Sequence, residues 1–402
     1  MFLLNKLLTR VVEQGTLTVI DAGGQSHVYG NGETPAVTVE LKDPSLHYKL
    51  FTNPELHAGE AYMNGEMNVV QGNIRDFLTI FALNSGSLRS YPLQKLVRGT
   101  AKKLKRLNQR NVLKSAIANV RHHYDLSNEF YRLWLDKDMH YSCAYFSSAD
   151  DSLEVAQQNK LRHIAAKLNL KPGQKVLDIG CGWGGMAMYL AEEAGVEVTG
   201  ITLSAEQHGL AVKRASDRGL SDRVRFELKD YREMTGRFDR IVSVGMFEHV
   251  GLGNYDAFFA KVSSLLTDDG VALLHAIGRK GGPGSTGPWM RKYIFPGGYS
   301  PALSETLGAI ERSGLWVTDI EILRLHYAKT LVEWERRFQS NRAQIAAIHD
   351  ERFCRMWEFY LIISEFSFRY GKHMVFQIQL AKTVAALPLD RRYLAAAEAD
   401  LG

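Results

Sequence analysis

The feature that most restricts the fold is a regular alternation of short apolar runs and helical stretches that begins at Lys175. The apolar runs are rich in Val, Ile and Leu, and they cover residues 175–180, 196–202, 223–230, 240–246 and 270–278. Strands that alternate with helices predict a mostly parallel, doubly wound α/β sheet with helices on both faces. In such sheets ligands bind beyond the carboxyl ends of the strands. We therefore expect the functional residues at those strand ends.

The residues before this alternation have a different character. Short strand-like runs mix there with turn residues and helical stretches, at residues 16–21, 36–41 and 47–52. This mixture indicates a smaller α+β domain. We place that N-terminal domain at residues 1–123 and a catalytic domain at residues 124–402. A lid or insert is expected at about 279–345, because the glycine-rich stretch 279–289 is typical of a closing loop, although a simple surface loop is the alternative.

Charge is distributed unevenly along the chain. Residues 77–124 contain ten Lys or Arg and no Asp or Glu, and leucines recur at helical spacing within residues 93–110. A basic amphipathic helix of this kind suits an anionic membrane surface. A solvated helix face that links two domains is the alternative, and a nucleic-acid patch is less favoured. Residues 1–15 also read as an amphipathic helix rather than a signal peptide.

Three cysteines, Cys143, Cys181 and Cys354, lie far apart and lack metal-ligand spacing. We expect neither a disulfide framework nor a metal site, which is typical of a protein of the reducing cytoplasm. No run of roughly 18 apolar residues is present to span a bilayer. Any membrane contact is therefore expected to be peripheral, at the inner face of the cell membrane.

A glycine-rich turn follows the first strand of the alternation. Gly180, Gly182 and Gly185 satisfy the GxGxxG pattern of dinucleotide-binding folds, so a nicotinamide cofactor is one possibility. Two features argue against it. Asp178 lies inside the strand end, where its carboxylate can attract a positively charged amino group, and the second strand ends in residues 202–204 without the usual ribose-binding carboxylate.

The phrase DIGCGWGG resembles motif I of S-adenosylmethionine-dependent methyltransferases, and the wider chain resembles the cyclopropane fatty acid synthases and mycolic acid cyclopropane synthases. The resemblance is carried by residues 59–69, 123–146, 176–185, 200–207, 239–251, 292–298 and 327–338. It implies a Rossmann-like class I methyltransferase fold and a homodimer. The N-terminal part resembles the lipid-facing domain of the phospholipid-acting members, which favours unsaturated phospholipids as substrates.

The resemblance also implies where S-adenosylmethionine would be held, namely at Tyr141, Ser142, Asp178, Gly180, Gly182, Thr202, Leu203, Ser204, Gln207 and Tyr231. Gln207 offers donors and an acceptor to ribose hydroxyls, and Tyr231 offers a flat face to adenine. Asp230 ends the third strand and could accept a hydrogen bond from the adenine amino group, or it could be a solvated carboxylate.

Adding a methyl group to an alkene leaves a cation on the acyl chain, and loss of a proton from the new methyl group then closes a cyclopropane ring. Such a site needs a base and must exclude water. The resemblance places bicarbonate, as the proton acceptor, among Glu248, His275, Tyr327 and the backbone of Cys143 and Ile277. Each residue also has a structural interpretation: a helix cap, a core histidine, a surface aromatic or simple packing.

We therefore expect cyclopropane formation on phospholipid acyl chains. A fatty-acid methylase on the same scaffold, which would leave a methyl branch or methylene group, is the closest alternative. A small-amine methyltransferase and a non-enzymatic lipid-binding protein are less favoured. Ser364 stands where many family members have a cysteine, so it is left out of the site.

Overall fold

The computed structural model describes residues 1–92 and 126–401. The predicted basic amphipathic helix within residues 93–110 lies outside the described residues. The described chain forms two compact units. The first contains residues 1–92, Ser285–Ile294 and Leu331–Lys372, and the second contains residues 126–284, Phe295–Thr330 and residues 373–401.

Regular elements cover most of the described chain. The helices, in chain order, are α1 (Phe2–Val11), α2 (Leu46–Thr52), α3 (Pro54–Met63), α4 (Ile74–Leu83), α5 (Ser85–Ser90), α6 (Asn128–Arg132), α7 (Leu153–Leu168), α8 (Gly185–Ala194), α9 (Ala205–Asp217), α10 (Tyr255–Leu265), α11 (Pro288–Tyr293), α12 (Leu303–Ser313), α13 (His326–Ser340), α14 (Arg342–Ile348), α15 (Glu351–Arg369) and α16 (Arg392–Asp400). The strands are β1 (Thr16–Ile20), β2 (Ser26–Gly30), β3 (Ala36–Leu41), β4 (Met67–Gln71), β5 (Lys175–Ile179), β6 (Glu197–Thr202), β7 (Val224–Leu228), β8 (Phe238–Val244), β9 (Leu266–Arg279), β10 (Trp316–Ile322) and β11 (His373–Ala381). Among the described helices, none is both long and apolar enough to cross a bilayer.

The first unit is built on a four-stranded sheet of order β2-β1-β3-β4. Helix α1 buries one apolar stripe, which confirms the amphipathic helix predicted at the N-terminus. The strand predicted at residues 47–52 is wrong, because these residues belong to α2. Just before this helix, the carboxylate of Asp43 accepts hydrogen bonds from the backbone N–H and the hydroxyl of Ser45 (2.8 and 2.6 Å). Packing of α2 against α1 and α3 then outweighs the β-propensity of the run.

Segments distant in sequence complete the first unit. Gly59 in α3 lies so close to Trp289 of α11 that an added Cβ would be 2.5 Å from the indole Nε1. Arg75 of α4 donates hydrogen bonds to Glu365 of α15 (2.5 Å) and Glu335 of α13 (3.3 Å). Close backbone approach and these ion pairs therefore join α3 and α4 to helices that lie more than two hundred residues later in the chain.

The second unit contains a seven-stranded sheet of order β10-β11-β9-β8-β5-β6-β7. Strands β5 to β9 are parallel and coincide with the five predicted apolar runs. The sequence did not reveal β11, which pairs antiparallel with β9, or β10, which pairs antiparallel with β11. Buried side chains pack on both faces, with Leu177 and Ile179 in one apolar cluster and Val176 and Val198 in another. The predicted mostly parallel, doubly wound α/β architecture is confirmed.

Candidate active site

A cavity lies beyond the carboxyl ends of β5, β6, β7 and β8, where the topology predicts ligand binding. It encloses about 1170 Å³ of space when the open solvent at its mouth is included. Of the predicted cofactor residues, those that line the cavity are Tyr141, Ser142, Asp178, Gly180, Gly182, Thr202, Leu203, Gln207, Asp230 and Tyr231. Ser204 does not line it. Its Oγ instead accepts a hydrogen bond from the backbone N–H of Gln207 (3.3 Å) and caps α9.

The glycine turn between β5 and α8 has a backbone conformation that residues with a Cβ rarely adopt. Gly180 has φ of 86°, and a Cβ at this position would lie 2.7 Å from the Cβ of Met246. Both constraints favour glycine. The turn leads into the N-terminus of α8 at Gly185. The first backbone N–H groups of a helix have no partner within the helix, so this end favours a negatively charged group of a ligand.

Asp178 is a buried carboxylate of this cavity, with 2% of its surface exposed. Its Oδ2 has no hydrogen-bond partner among the described residues. Burial raises the pKa of Asp178 to about 7, although the nearby charge of Lys160 opposes this shift. A buried carboxylate oxygen without a partner is costly, so the site is suited to a cationic ligand group.

Lys160 was not predicted, yet it also lines the cavity. It projects from α7, is 1% exposed, and donates a hydrogen bond to the Ser142 hydroxyl (3.0 Å). Burial lowers its pKa to about 8, against the opposing charges of Asp136 and Asp178. The signal in the sequence was that Gln157 and Lys160 interrupt the apolar stripe of α7 at helical spacing.

The cavity wall beyond β6 and β7 is held by side-chain pairs. The hydroxyl of Thr202 donates to the Gln207 side-chain oxygen (2.9 Å), which orients the amide. Asp230 accepts hydrogen bonds from the Nε and Nη2 of Arg232 (2.7 and 2.8 Å). Asp230 is therefore part of an ion pair on the cavity wall rather than an isolated carboxylate.

Glu248 lies in a short 3₁₀ turn, Phe247–His249, that follows β8. Its Oε1 accepts a hydrogen bond from the backbone N–H of Ile277 in β9 (2.6 Å). In the part of the chain that the structure describes, its buried Oε2 has no partner. Burial raises the pKa of Glu248 to about 7, and the Ile277 N–H opposes the shift. The structure thus brings two predicted residues together, but the backbone N–H of Ile277, whose backbone was assigned to an anion, donates to Glu248.

His275 lies inside strand β9 and not at its carboxyl end. Strand β9 continues to Arg279 because β11 pairs with it as far as His373. His275 is 2% exposed, and burial lowers its pKa to about 3, with Lys160 adding to the effect. Its backbone oxygen accepts from Gly245 N–H (2.9 Å), and Gly245 lines the cavity. His275 therefore lies in the layer directly behind the cavity wall.

The segment that contains Cys143 and the segment that contains Tyr327 are joined by hydrogen bonds. Next to Cys143, the backbone N–H of Ala144 donates to the hydroxyl of Thr330 (3.1 Å), and that of Phe146 donates to His326 Nδ1 (3.0 Å). Tyr327 lies in the same first turn of α13 and is 8% exposed. Burial raises the pKa of the Cys143 thiol, which disfavours a nucleophilic thiolate.

None of the predicted catalytic residues lines the cavity. Glu248, Ile277 and His275 lie in a layer behind it, and Cys143 directly follows the cavity residue Ser142. Lys160 lies near both the cavity residues and the predicted catalytic residues, since its charge acts on Asp178, Cys143 and His275. His249 was not assigned a role in the site, yet it lines the cavity, and burial lowers its pKa to about 4. The lowered pKa favours a neutral imidazole at this part of the wall at neutral pH.

Comparisons with known proteins show which family the chain resembles in sequence. Residues 111–378 match the family described as mycolic acid cyclopropane synthetase, and residues 3–91 match a domain of unknown function. The chain is 38% identical over 363 residues to a probable fatty acid methyltransferase of Pseudomonas putida, covering 88% of this chain and 89% of that protein. It is 39% identical over 359 residues to the cyclopropane-fatty-acyl-phospholipid synthase of Escherichia coli K12, covering 88% and 90%.

A solved structure of the mycolic acid cyclopropane synthase CmaA1 in complex with SAH and CTAB is also similar. It superimposes with a TM-score of 0.62 at 36% identity, covering 66% of this chain and 97% of that one. The family match spans well over half of the chain, and two relatives exceed 30% identity across most of it. The chain belongs to the mycolic acid cyclopropane synthetase family and is an S-adenosylmethionine-dependent methyltransferase of the class I fold.

Proposed function

We propose that the protein transfers a one-carbon unit from S-adenosylmethionine to the cis double bond of unsaturated phospholipid acyl chains and forms a cyclopropane ring. One observation carries the proposal: two buried carboxylates, Asp178 and Glu248, each have an oxygen without a partner among the described residues. Asp178 faces the cofactor cavity and Glu248 lies in the layer behind it. The similarity to the Escherichia coli phospholipid enzyme supports the choice of substrate.

The residues of the cavity fit S-adenosylmethionine. Asp178 would hold its ammonium group, and the N-terminus of α8 together with Ser142 and Lys160 would hold its carboxylate. Gln207, oriented by Thr202, would contact the ribose. When bound, the cofactor supplies an electrophilic methyl group. The protein residues keep it in line with the alkene, because an isolated double bond is a weak nucleophile.

The layer behind the cavity fits a bicarbonate ion in one respect and differs in another. Glu248 Oε2 is a buried acceptor, and a hydrogen carbonate has the O–H that such an acceptor needs. The Ile277 N–H, however, is already used by Glu248. We therefore propose that Glu248 and His275 hold the ion. When bound, bicarbonate supplies the oxygen that takes up the proton lost on ring closure.

The test is reconstitution of the purified protein with vesicles of cis-unsaturated phospholipid and S-adenosylmethionine. Mass spectrometry of the lipid methyl esters should reveal a mass gain of one CH₂ unit and resistance to hydrogenation under conditions that saturate an alkene. The Glu248→Gln variant should lose this product, and the Glu233→Gln variant, which alters an exposed residue, should retain it. The absence of any lipid product from the wild type would contradict the proposal.

The second candidate is a methylase that leaves a methyl branch or methylene group. The similarity to a probable fatty acid methyltransferase favours this possibility specifically. Both reactions share the first cation and differ in which proton is lost. The same spectra distinguish them, because a methyl-branched chain and a cyclopropane fragment differently.

We also propose that the protein works as a homodimer in the cytoplasm at the inner face of the membrane. Helix α1 supports the membrane contact, since Phe2 is 69% exposed and Leu3 is 41% exposed, with Lys6 lying 4.4 Å from the Phe2 ring centroid. Exposed apolar side chains beside a cation suit an anionic lipid surface. Phe2→Ser should reduce sedimentation with anionic vesicles, whereas Val28→Ser, which removes a similarly exposed residue from β2, should not.

A further inference from the structure

Three adjacent strands place a row of polar side chains across the sheet of the second unit, and two of them, Gln377 and His275, are buried. Glu321 of β10 is paired with Gln377 of β11, and Gln377 is paired with His275 of β9. Directly opposite residues point to the same face, so their side chains are neighbours. Lys167 of α7 reaches the row, since it forms an ion pair with Glu321 and donates to Gln377 Oε1 (2.7 Å).

The hydrogen bond from Lys167 determines the orientation of the Gln377 side-chain amide. An ammonium group offers only donors, so it must meet the amide oxygen rather than the amide nitrogen. The amide NH₂ is thereby turned toward His275, where Gln377 Nε2 lies 3.2 Å from His275 Nδ1. All three side chains are buried, with exposures of 1%, 1% and 2% for Lys167, Gln377 and His275. A rotated amide would leave two donors facing each other, which burial makes expensive.

The orientation of the amide fixes the protonation of the imidazole. An NH₂ group can only donate, so His275 Nδ1 must be the acceptor and carry no proton. The neutral ring then has its proton on Nε2, because the hydrogen bond of one ring nitrogen sets the tautomer of the other. An imidazolium ring would present an N–H to the NH₂ group, so the arrangement also opposes protonation. Burial acts in the same direction on the pKa of His275.

We propose that Gln377, held by Lys167, is a positioning residue that keeps His275 in the neutral form protonated on Nε2. The inference rests on the proposed function of His275 at the reacting site and deepens it. With Nε2 already carrying a proton, His275 acts as a hydrogen-bond donor to an anion and cannot be the base that removes the proton on ring closure. The proton must then be taken up by another group, and the proposed function assigns this role to the anion that His275 orients.

The tautomer can be measured without turnover. Two-bond proton–nitrogen correlation spectra of the ¹⁵N-histidine-labelled protein distinguish a protonated ring nitrogen from an unprotonated one, and comparison with His275→Gln identifies the signals of His275. We expect Nδ1 unprotonated and Nε2 protonated at pH 7. An imidazolium, or a proton on Nδ1, would overturn the proposal.

Gln377→Glu tests the positioning role directly. The carboxylate still accepts from Lys167 but can no longer donate, so it would draw a proton onto His275 Nδ1 and raise the pKa of the ring. We expect the spectra to change accordingly and kcat to fall about 10- to 100-fold, with S-adenosylhomocysteine affinity unchanged.

The matched control is Gln379→Glu, two residues along β11. Gln379 is equally buried, but it bonds to the Lys167 backbone oxygen, Tyr393 and Thr318 rather than to His275. In the Gln379→Glu variant, the spectra of His275 should match those of the wild type. Thermal unfolding of both variants controls for a general loss of stability. A changed tautomer in Gln377→Glu with wild-type kcat would overturn the positioning role. A wild-type protein that makes no lipid product would instead contradict the proposed function, and the spectra would still report the tautomer.

Discussion

Replacing Asp178 by asparagine should stabilise the ligand-free protein at neutral pH while weakening cofactor binding. Burial raises the pKa of this carboxyl from 3.8 to about 7, so the folded protein holds a proton that the unfolded chain has already lost. Stability therefore falls as pH rises between roughly 4 and 7. One pKa unit corresponds to about 1.4 kcal/mol, so the three-unit difference costs up to about 4 kcal/mol above pH 7. Asparagine keeps the shape and removes this cost.

The same charge that destabilises the empty site should stabilise the complex. Opposite unit charges about 4 Å apart attract by about 4 kcal/mol at an effective dielectric constant of about 20. Part of this attraction is offset by desolvation of the ammonium group. A loss of about 2–4 kcal/mol is expected for Asp178→Asn, which corresponds to a rise in Kd of about 30- to 1000-fold.

The assay is isothermal titration with S-adenosylhomocysteine at pH 7.5, together with thermal unfolding of the ligand-free protein from pH 5 to pH 8. S-adenosylhomocysteine keeps the ammonium group and lacks the sulfonium charge, so it isolates the contact. Asp239→Asn is the matched control, because Asp239 accepts from Lys175 N–H (2.8 Å) and does not line the cavity. Wild-type affinity in Asp178→Asn would remove this carboxylate from the cofactor site. A joint loss of stability and affinity would refute the reasoning about its buried charge.

Three further changes test the rest of the site. Glu248→Gln should lower kcat about 100-fold with little change in cofactor affinity. The raised pKa of Glu248 predicts that wild-type kcat rises through about pH 7, and this rise should disappear in the variant. A rise that persists in the variant would assign the pH dependence to another group. Lys160→Met should raise the Kd for S-adenosylhomocysteine about tenfold, because the Ser142 hydroxyl loses its donor; an unchanged Kd would make Lys160 structural only. Exhaustive removal of carbonate should slow the wild-type enzyme, and unchanged rates would exclude bicarbonate.

Much of the second unit could be predicted because its signals are local. The five parallel strands appear as apolar runs, and the turn after β5 appears as glycines that occupy left-handed backbone conformations. All but one of the residues predicted to hold the cofactor line the cavity, because the carboxyl ends of strands can be identified once the strands themselves are. Ser204 was the exception, because a serine after a strand can cap the next helix as readily as it can contact a ligand.

The layer behind the cavity was only partly predictable. Glu248 and Ile277 meet because β8 and β9 are neighbours in the sheet, but the sequence did not reveal that the Ile277 N–H is consumed by that contact. Lys160 was missed because a lysine within a helix is ordinarily solvated. The helix at residues 47–52 was missed because its β-propensity is overridden by packing.

By itself, the sequence determined the alternation of strands and helices, the glycine turn and the side chains that follow each strand, because side-chain period and backbone preference act over a few residues. Only the tertiary structure decided which buried groups carry a proton and which hydrogen bonds they make. Lys167, Gln377 and His275 become neighbours through strand register across more than a hundred residues of chain. Their ionisation depends on burial and on each other's charge, which exist only after folding.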